Sequence, residues 1–197
     1  MRLVGSRRFS DTGSIPVSST ILIVKECDRM KVIFLDIDGV VNTLMISKEP
    51  FDHERGQIKR GEFYFDLCCP SDGRVSNTQA VLWLEKICRD NDCSIVLSST
   101  WRNGHYAEAV NALYNSGLSR DIKVIGKTPY LGTIRGEEIA AFLRGHPEIT
   151  SYVILDDDND MGDLMDHLVL TKVHAGINMG TVIEVANKFE EQDKNNT

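Results

Sequence analysis

The cysteines of this sequence form no pattern that would build a disulfide framework or a zinc site. There are five in 197 residues, an odd number, and no two are spaced Cys-x-x-Cys. Reduced thiols are therefore expected, and with them a cytoplasmic location. The five histidines also lack the spacing of metal ligands. The cysteines are Cys27, Cys68, Cys69, Cys88 and Cys93.

Long apolar runs and positive charge are also missing. No run approaches the roughly 18 apolar residues of a membrane span, so no membrane association is expected. The net charge is −7, so no overall basic field would draw the protein to nucleic acid, although a local basic patch stays open. No Gly-x-x-x-x-Gly-Lys loop is present, which argues against a kinase half. Nothing in the composition indicates an obligatory protein partner.

What the chain does have is an alternation of strand and helix signals after Met30. This alternation predicts one α/β domain over 30–197, with a Rossmann-like parallel sheet and helices on both faces. Residues 1–29 are expected to be a disordered or non-native extension, with Met30 as the natural start. Predicted strands cover 31–37, 94–98, 122–125, 152–155 and 168–173, and predicted helices cover 77–89, 103–116, 136–143 and 181–191. The glycine- and proline-containing segment 43–75 is expected to be irregular.

Polar clusters follow three of the predicted strands. Because ligands bind at the carboxyl ends of parallel strands, we expect these clusters to meet at one edge of the sheet. Converging carboxylates repel one another unless a cation lies between them, and oxygen-only ligands favour Mg²⁺. A carboxylate can attack phosphorus, a second can transfer protons, and a hydroxyl with a cationic side chain can hold phosphoryl oxygens. The clusters are Asp36 and Asp38; Ser98, Ser99, Thr100 and Arg102; and Asp156, Asp157, Asp158 and Asp160.

The order and spacing of these motifs resemble the haloacid dehalogenase (HAD) superfamily of phosphohydrolases across about residues 31–175. The first motif is Asp36–Val40, with the sequence Asp-Ile-Asp-Gly-Val. The second is a hydrophobic strand that ends at Ser98. The third is a basic residue before the fourth strand, best matched by Arg135, with Lys127 as the rival. The fourth is the acidic pair Asp156-Asp157.

This resemblance implies a role for each motif. Asp36 would be the nucleophile, and Asp38 the general acid and base. Ser98 and Arg135 would stabilise the transferring phosphoryl group. The implied cofactor, Mg²⁺, would be held by Asp36, the backbone carbonyl of Asp38, and Asp156 or Asp157. Whether Asp160 also contacts the metal stays open at this point.

A finer resemblance concerns the Ser-Ser-Thr-Trp-Arg sequence of Ser98–Arg102 and the basic residue before the acidic pair. Both are similar to the phosphatase domains of nucleic-acid repair enzymes, including polynucleotide kinase-phosphatases. The resemblance implies a nucleotide or a nucleic-acid 3′-phosphate end as substrate, with a small metabolite phosphate as the alternative. Segment 43–75 would be a short cap over the site, and Trp101 could simply pack beneath the second motif. Residues expected to contact the substrate are Ser99, Arg102, Gly39 and Lys127.

Two other interpretations remain. Cys68 and Arg74 have the spacing of cysteine-dependent phosphatases, although Pro70 lacks an amide donor and Asp72 would repel a phosphate. The chain could instead be a HAD-fold binding or scaffold protein without catalysis. Such a protein is expected to lack one of the essential groups, and this sequence retains all of them.

Overall fold

The computed structural model describes most of the chain that follows the predicted N-terminal extension. It covers residues 29–43, 75 and 77–195, together with the backbone of 57–60 and 63–66. Most of the predicted extension and much of the predicted cap lie outside these residues. Cys68 and Arg74, the pair of the cysteine-phosphatase interpretation, also lie outside them.

The centre of the fold is a five-stranded sheet in which every neighbouring pair is parallel. Its order is β5-β4-β1-β6-β7, so the strand that precedes the first motif is central. This order confirms the predicted Rossmann-like arrangement. The strands are β1 Met30–Leu35, β4 Cys93–Leu97, β5 Val124–Lys127, β6 Ile149–Asp156 and β7 Leu168–Leu170, with β2 and β3 in a separate hairpin.

Helices cover both faces of the sheet, as predicted. The pleat of β1 directs Ile33 and Leu35 into the larger core, where the sheet packs against α1, α2 and α4. Val32 and Phe34 point the opposite way, into a smaller core built with α3. None of the helices in the described part of the chain is long and apolar enough to cross a membrane. The helices are α1 Thr78–Asn91, α2 Tyr106–Asn115, α3 Arg135–Arg144 and α4 Met179–Asn195.

The prediction of irregular structure throughout segment 43–75 is wrong for eight of its residues. Strands β2 (Gln57–Arg60) and β3 (Phe63–Asp66) pair in antiparallel register, with Lys59 opposite Tyr64. Each strand has four residues, which is too short for a clear alternation of apolar and polar residues.

Several predicted boundaries also move by two to four residues, and two of these shifts have a clear local reason. Helix α2 begins at Tyr106 rather than 103, because Thr100–Arg102 forms a 3-10 turn and Gly104 has φ +96°. Strand β5 begins at Val124, two residues later than predicted, because the amide of Ile122 donates to Ser119 in a turn. Both changes lie outside the strand ends that carry the polar clusters.

Candidate active site

Three polar residues meet at the carboxyl edge of the sheet because their strands are neighbours. Asp36 follows β1, Ser98 follows β4, and Asp156 is the last residue of β6. The backbone ladder continues through them: Asp36 N lies 2.9 Å from Leu155 O, and Ser98 N lies 2.9 Å from Leu35 O. The expectation that the clusters share one edge is therefore confirmed in the geometry.

Three carboxylates converge at this edge. One oxygen from each of Asp36, Asp156 and Asp157 lies within 4.8 Å of the others. Burial raises the pKa of Asp36 to about 6, and the Arg135 guanidinium opposes that rise. Burial, reinforced by the charge of Asp36, raises the pKa of Asp156 to about 7. Burial also raises the pKa of Asp157, the least enclosed of the three. When all three carboxylates are ionised, the single guanidinium of Arg135 that contacts them leaves a surplus of negative charge.

Gly39 allows the first-motif loop to lie directly against Asp157. Its φ is +74°, in the left-handed region. A Cβ at this position would lie 2.2 Å from Asp157 Cγ. The carbonyl of Gly39 accepts a hydrogen bond from Thr171 Oγ1 at 2.9 Å. The structure thus gives Gly39 a packing role, and its contact with substrate stays a prediction.

Arg135 is the basic residue that reaches the carboxylates. Its Nη1 lies 3.0 Å from Asp36 Oδ1 and 3.5 Å from Asp156 Oδ2, and it also donates to the carbonyl of Ser98. Burial disfavours its charge, but the carboxylates of Asp36 and Asp156 raise the pKa of Arg135. The guanidinium is therefore held charged beside the proposed nucleophile.

Lys127, the rival for the third motif, is directed elsewhere. Its Nζ donates to the carbonyl of Arg102 at 2.9 Å and lies 5.4 Å from the centre of the Tyr106 ring. The residue is exposed at the end of β5. The structure brings Arg135, and not Lys127, to the carboxylate cluster, so a substrate contact by Lys127 stays a prediction.

Asp160 has a different partner from the other acidic residues of its loop. Its Oδ2 accepts from the amide of Arg135 at 3.0 Å, and its carbonyl accepts from the amide of Gly136 at 3.2 Å. A Cβ at Gly136 would lie 1.9 Å from the carbonyl oxygen of Met161. Asp160 therefore anchors the beginning of α3, and it does not belong to the cluster of Asp36, Asp156 and Asp157.

Asp38 is held from two sides by side chains. Its Oδ2 accepts from Trp101 Nε1 at 2.8 Å, and its Oδ1 accepts from Asn42 Nδ2 at 3.2 Å. Sequence analysis did not single out Asn42, and it considered only packing for Trp101. The ring does pack against the larger core, but its indole N–H makes the contact that bears on chemistry. The one sequence signal for this contact was the position of Trp101, three residues after Ser98 of the second motif.

The two serines of the second motif differ in their contacts. Ser98 is fully buried, and its Oγ has no hydrogen-bond partner within the described part of the chain. Ser99 Oγ caps the 3-10 turn by accepting from the amide of Trp101 at 3.4 Å. The hydroxyl of Ser98 is therefore the one left with unused hydrogen-bonding capacity beside Asp36.

Arg102 lies beneath the site and does not line it. Only 2% of the residue is exposed. Its Nη1 donates to the carbonyls of Ser98 and Ser99, both at 2.6 Å, and its Nη2 forms an ion pair with Glu138. Burial lowers the pKa of Arg102, and the charge of Glu138 partly offsets that effect. The predicted grip on a substrate phosphate stays a prediction, which these internal partners of the guanidinium disfavour. Sequence analysis missed Glu138 as the partner.

The carboxylate cluster fits a hard divalent cation. Its donor atoms are all oxygens, as Mg²⁺ prefers. Asp156 Oδ2 is buried and accepts no hydrogen bond among the described residues. Arg135 Nη1 lies 3.5 Å from it, which is an ion-pair distance and not a hydrogen bond. A buried carboxylate oxygen that accepts no hydrogen bond is costly unless nearby positive charge compensates it. Asp36, Asp156 and Asp157 are the side chains that could hold the ion.

A parallel sheet with the order β5-β4-β1-β6-β7, and with these carboxylates at its edge, defines the class as a HAD-type α/β domain. The chain belongs to the family described as "HAD domain in Swiss Army Knife RNA repair proteins", whose model matches residues 32–182. This membership supports the resemblance to phosphatases of nucleic-acid repair. A comparison with curated proteins gave no significant match.

Proposed function

We propose that this protein is a Mg²⁺-dependent phosphomonoesterase that works through an aspartyl-phosphate on Asp36. The observation that carries the proposal is the position of that carboxylate. It lies in a cluster with the buried Asp156 and the more exposed Asp157, 3.0 Å from the Arg135 guanidinium. A bound Mg²⁺ would neutralise the cluster and polarise a phosphoryl oxygen. Family membership supports the same class of reaction.

In the first step, an oxygen of Asp36 forms a bond to phosphorus while the ester P–O bond breaks. The leaving oxygen takes a proton from the carboxyl of Asp38. In the second step, water attacks phosphorus and gives its proton to Asp38, and the bond between Asp36 and phosphorus breaks to release inorganic phosphate. Trp101 and Asn42 each donate a hydrogen bond to the carboxylate of Asp38, and these two bonds orient it for both proton transfers.

The phosphoryl oxygens would be held by groups that already lie beside Asp36. Ser98 supplies a buried hydroxyl without a partner among the described residues, and Arg135 supplies a fixed positive charge. Donors that are oriented before the reaction stabilise developing charge without reorganising. Ser98 and Arg135 are therefore proposed to act on the transition state rather than on binding alone.

The proposed substrate is a nucleotide or a nucleic-acid 3′-phosphate end, because the matching family is that of RNA repair proteins. A small metabolite phosphate is the second candidate, and a non-catalytic scaffold is the candidate of another class. The proposal includes a cytoplasmic location, with which the free thiols of Cys88 and Cys93 are consistent.

The test is phosphate release from nucleotides, sugar phosphates, p-nitrophenyl phosphate and 3′-phosphorylated oligonucleotides, with Mg²⁺ and with a chelator. Asp36→Asn is expected to lower kcat by at least about 10³-fold, because the amide cannot form the phosphoenzyme. Circular dichroism checks that the variant keeps its fold. A variant with most of the wild-type rate would refute the assignment of Asp36. No release by the wild type from any ester would favour the scaffold.

A further inference from the structure

The carboxylate of Asp38 has an unusual neighbour in Trp101. The indole Nε1 lies 2.8 Å from Asp38 Oδ2, although 63 residues separate the two in sequence. Asn42 Nδ2 reaches the other oxygen, Asp38 Oδ1, at 3.2 Å. A carboxylate that accepts one hydrogen bond at each oxygen cannot rotate about its own axis without breaking a contact.

The turn that carries Trp101 is itself fixed from several directions. Ser99 Oγ accepts from the amide of Trp101 at 3.4 Å, and Arg102 N donates to Ser99 O at 3.1 Å. The amide of His105 donates to the carbonyl of Trp101 at 3.0 Å. The carbonyl of Arg102 accepts from Lys127 at 2.9 Å. The Trp101 backbone is therefore anchored on both sides of the residue.

The buried ion pair of Arg102 and Glu138 connects this turn to α3. Arg102 holds the carbonyls of Ser98 and Ser99, while Glu138 also accepts from the amide of Leu131 at 2.8 Å. The same helix begins with Arg135, which contacts Asp36. One continuous set of contacts thus fixes the nucleophile and the ring that orients Asp38.

We propose that Trp101 is a positioning residue for proton transfer by Asp38, and that its indole N–H is the group responsible. This inference rests on the proposed phosphatase function. Without the N–H, the contact from Asn42 is the one side-chain hydrogen bond left to Asp38 among the described residues, and Asp38 samples orientations from which its proton does not reach the leaving oxygen. Such a loss matters most for esters whose leaving oxygen is strongly basic, since only these need the proton.

The experiment compares Trp101→Phe, which removes the N–H but keeps an aromatic ring, with Trp83→Phe as the matched control. Both tryptophans are partly buried against the larger core. The readout is kcat/KM across a series of aryl and alkyl phosphates with Mg²⁺. For Trp101→Phe, we expect a loss of about 10- to 100-fold with alkyl esters, the size of one hydrogen bond to a charged group. With p-nitrophenyl phosphate, the expected loss is about threefold or less. Trp83→Phe is expected to keep the wild-type profile.

A double-mutant cycle with Asp38→Ala separates positioning from packing. If the N–H acts through Asp38, Trp101→Phe adds almost no further loss in the Asp38→Ala background. A uniform fall over all leaving groups, or additive losses in the cycle, would overturn the positioning role while the phosphatase function stands. Wild-type protein without turnover on any ester would instead contradict the phosphatase function, and the positioning role would fall with it.

A spectroscopic measurement tests the contact itself without turnover. The chain has two tryptophans, so Trp101 is the sole emitter in a Trp83→Phe background. Removing its hydrogen-bond acceptor with Asp38→Ala is expected to shift the emission, whereas Asp157→Ala, which removes a carboxylate of the cluster and leaves the acceptor of Trp101 in place, is not. An emission unchanged by Asp38→Ala would overturn the proposal.

Discussion

Two groups of buried charges lie side by side in this protein, and the carbonyl of Ser98 accepts from an arginine of each. The first group is the ion pair of Arg102 and Glu138, with one charge of each sign and both residues at most 3% exposed. The second sets Arg135 against the carboxylates of Asp36, Asp156 and Asp157. Most of these charges are buried, but only the second group has a surplus of charge, and its member Asp157 is open to solvent. The comparison teaches that a ligand site differs from an internal support by its surplus charge together with an opening to solvent.

We call the ion pair of Arg102 and Glu138 the balanced group, and the largest expected effect comes from breaking it. Arg102→Met should lower the free energy of unfolding by about 3–5 kcal/mol, because it leaves the buried carboxylate of Glu138 without its cation. Urea unfolding measures the loss. The control is Arg102→Met combined with Glu138→Leu, which removes both charges and should recover most of the stability. A loss below about 1 kcal/mol in the single variant, as for an exposed pair, would contradict a supporting role.

The second group, Arg135 with the carboxylates of Asp36, Asp156 and Asp157, is the unbalanced group. It predicts a pH dependence of stability with a defined sign. The folded pKa values of Asp36, about 6, and Asp156, about 7, lie above the unfolded value of 3.8. At these two carboxyls the folded state therefore binds more protons than the unfolded state between about pH 4 and 7, and their contribution to the stability of metal-free protein should fall as pH rises through that window. Burial lowers the pKa of His167, which contributes a slope of the opposite sign just below its ordinary value of 6.5. Asp121 has its pKa lowered to about 2, chiefly by its hydrogen bond with Arg89, so it acts only below this window.

Mg²⁺ should reverse that loss at neutral pH. An ion at about 100 times its dissociation constant adds about 2.7 kcal/mol to the unfolding free energy. The gain should shrink at pH 5, where protons compete for the same carboxylates. Thermal unfolding at pH 5 and pH 7.5, with and without Mg²⁺, checks both statements. Asp36→Asn is the control and should flatten both dependences. Metal-free wild-type protein whose stability depends on pH in the same way as that of Asp36→Asn would contradict the raised pKa of Asp36.

The smallest effect is expected at Lys127, which touches the balanced group from outside. Lys127→Met should change the unfolding free energy by less than about 1 kcal/mol, because the side chain is exposed and donates to one carbonyl. Its kcat/KM should fall far less than that of Arg135→Met, for which a loss of about 10²–10³-fold is expected. Steady-state kinetics of the two variants under the same conditions decide between them. Equal losses of kcat/KM in the two variants would contradict the assignment of Arg135 alone and would support Lys127 as the basic residue of the third motif.

The sequence predicted the unbalanced group well, because its residues follow strands that are recognisable from short apolar runs. Asp36, Ser98 and Asp156 each end such a run, and parallel strands bring their carboxyl ends together. The balanced group was not predicted. Arg102 and Glu138 are 36 residues apart, and each looks like a surface charge until the chain has folded.

The contact of Trp101 with Asp38 also escaped the sequence, since an indole near a motif is usually explained by packing. Its N–H direction depends on a 3-10 turn that no periodic pattern predicts. The sequence favoured Arg135 over Lys127 for the third motif, but only through its resemblance to the family. Both residues are basic, and only the placement of α3 against the loop of Asp160 shows which one reaches Asp36.

The central place of β1 in the sheet has a consequence for the timing of entropy losses. Asp36 directly follows this strand, and its backbone amide is bonded to Leu155 of the neighbouring β6. The nucleophile therefore loses its orientational freedom once, when the sheet forms, and not again at each turnover. Substrate binding then has to order only the incoming ester, which is why an immobile middle strand is a favourable place for the attacking group.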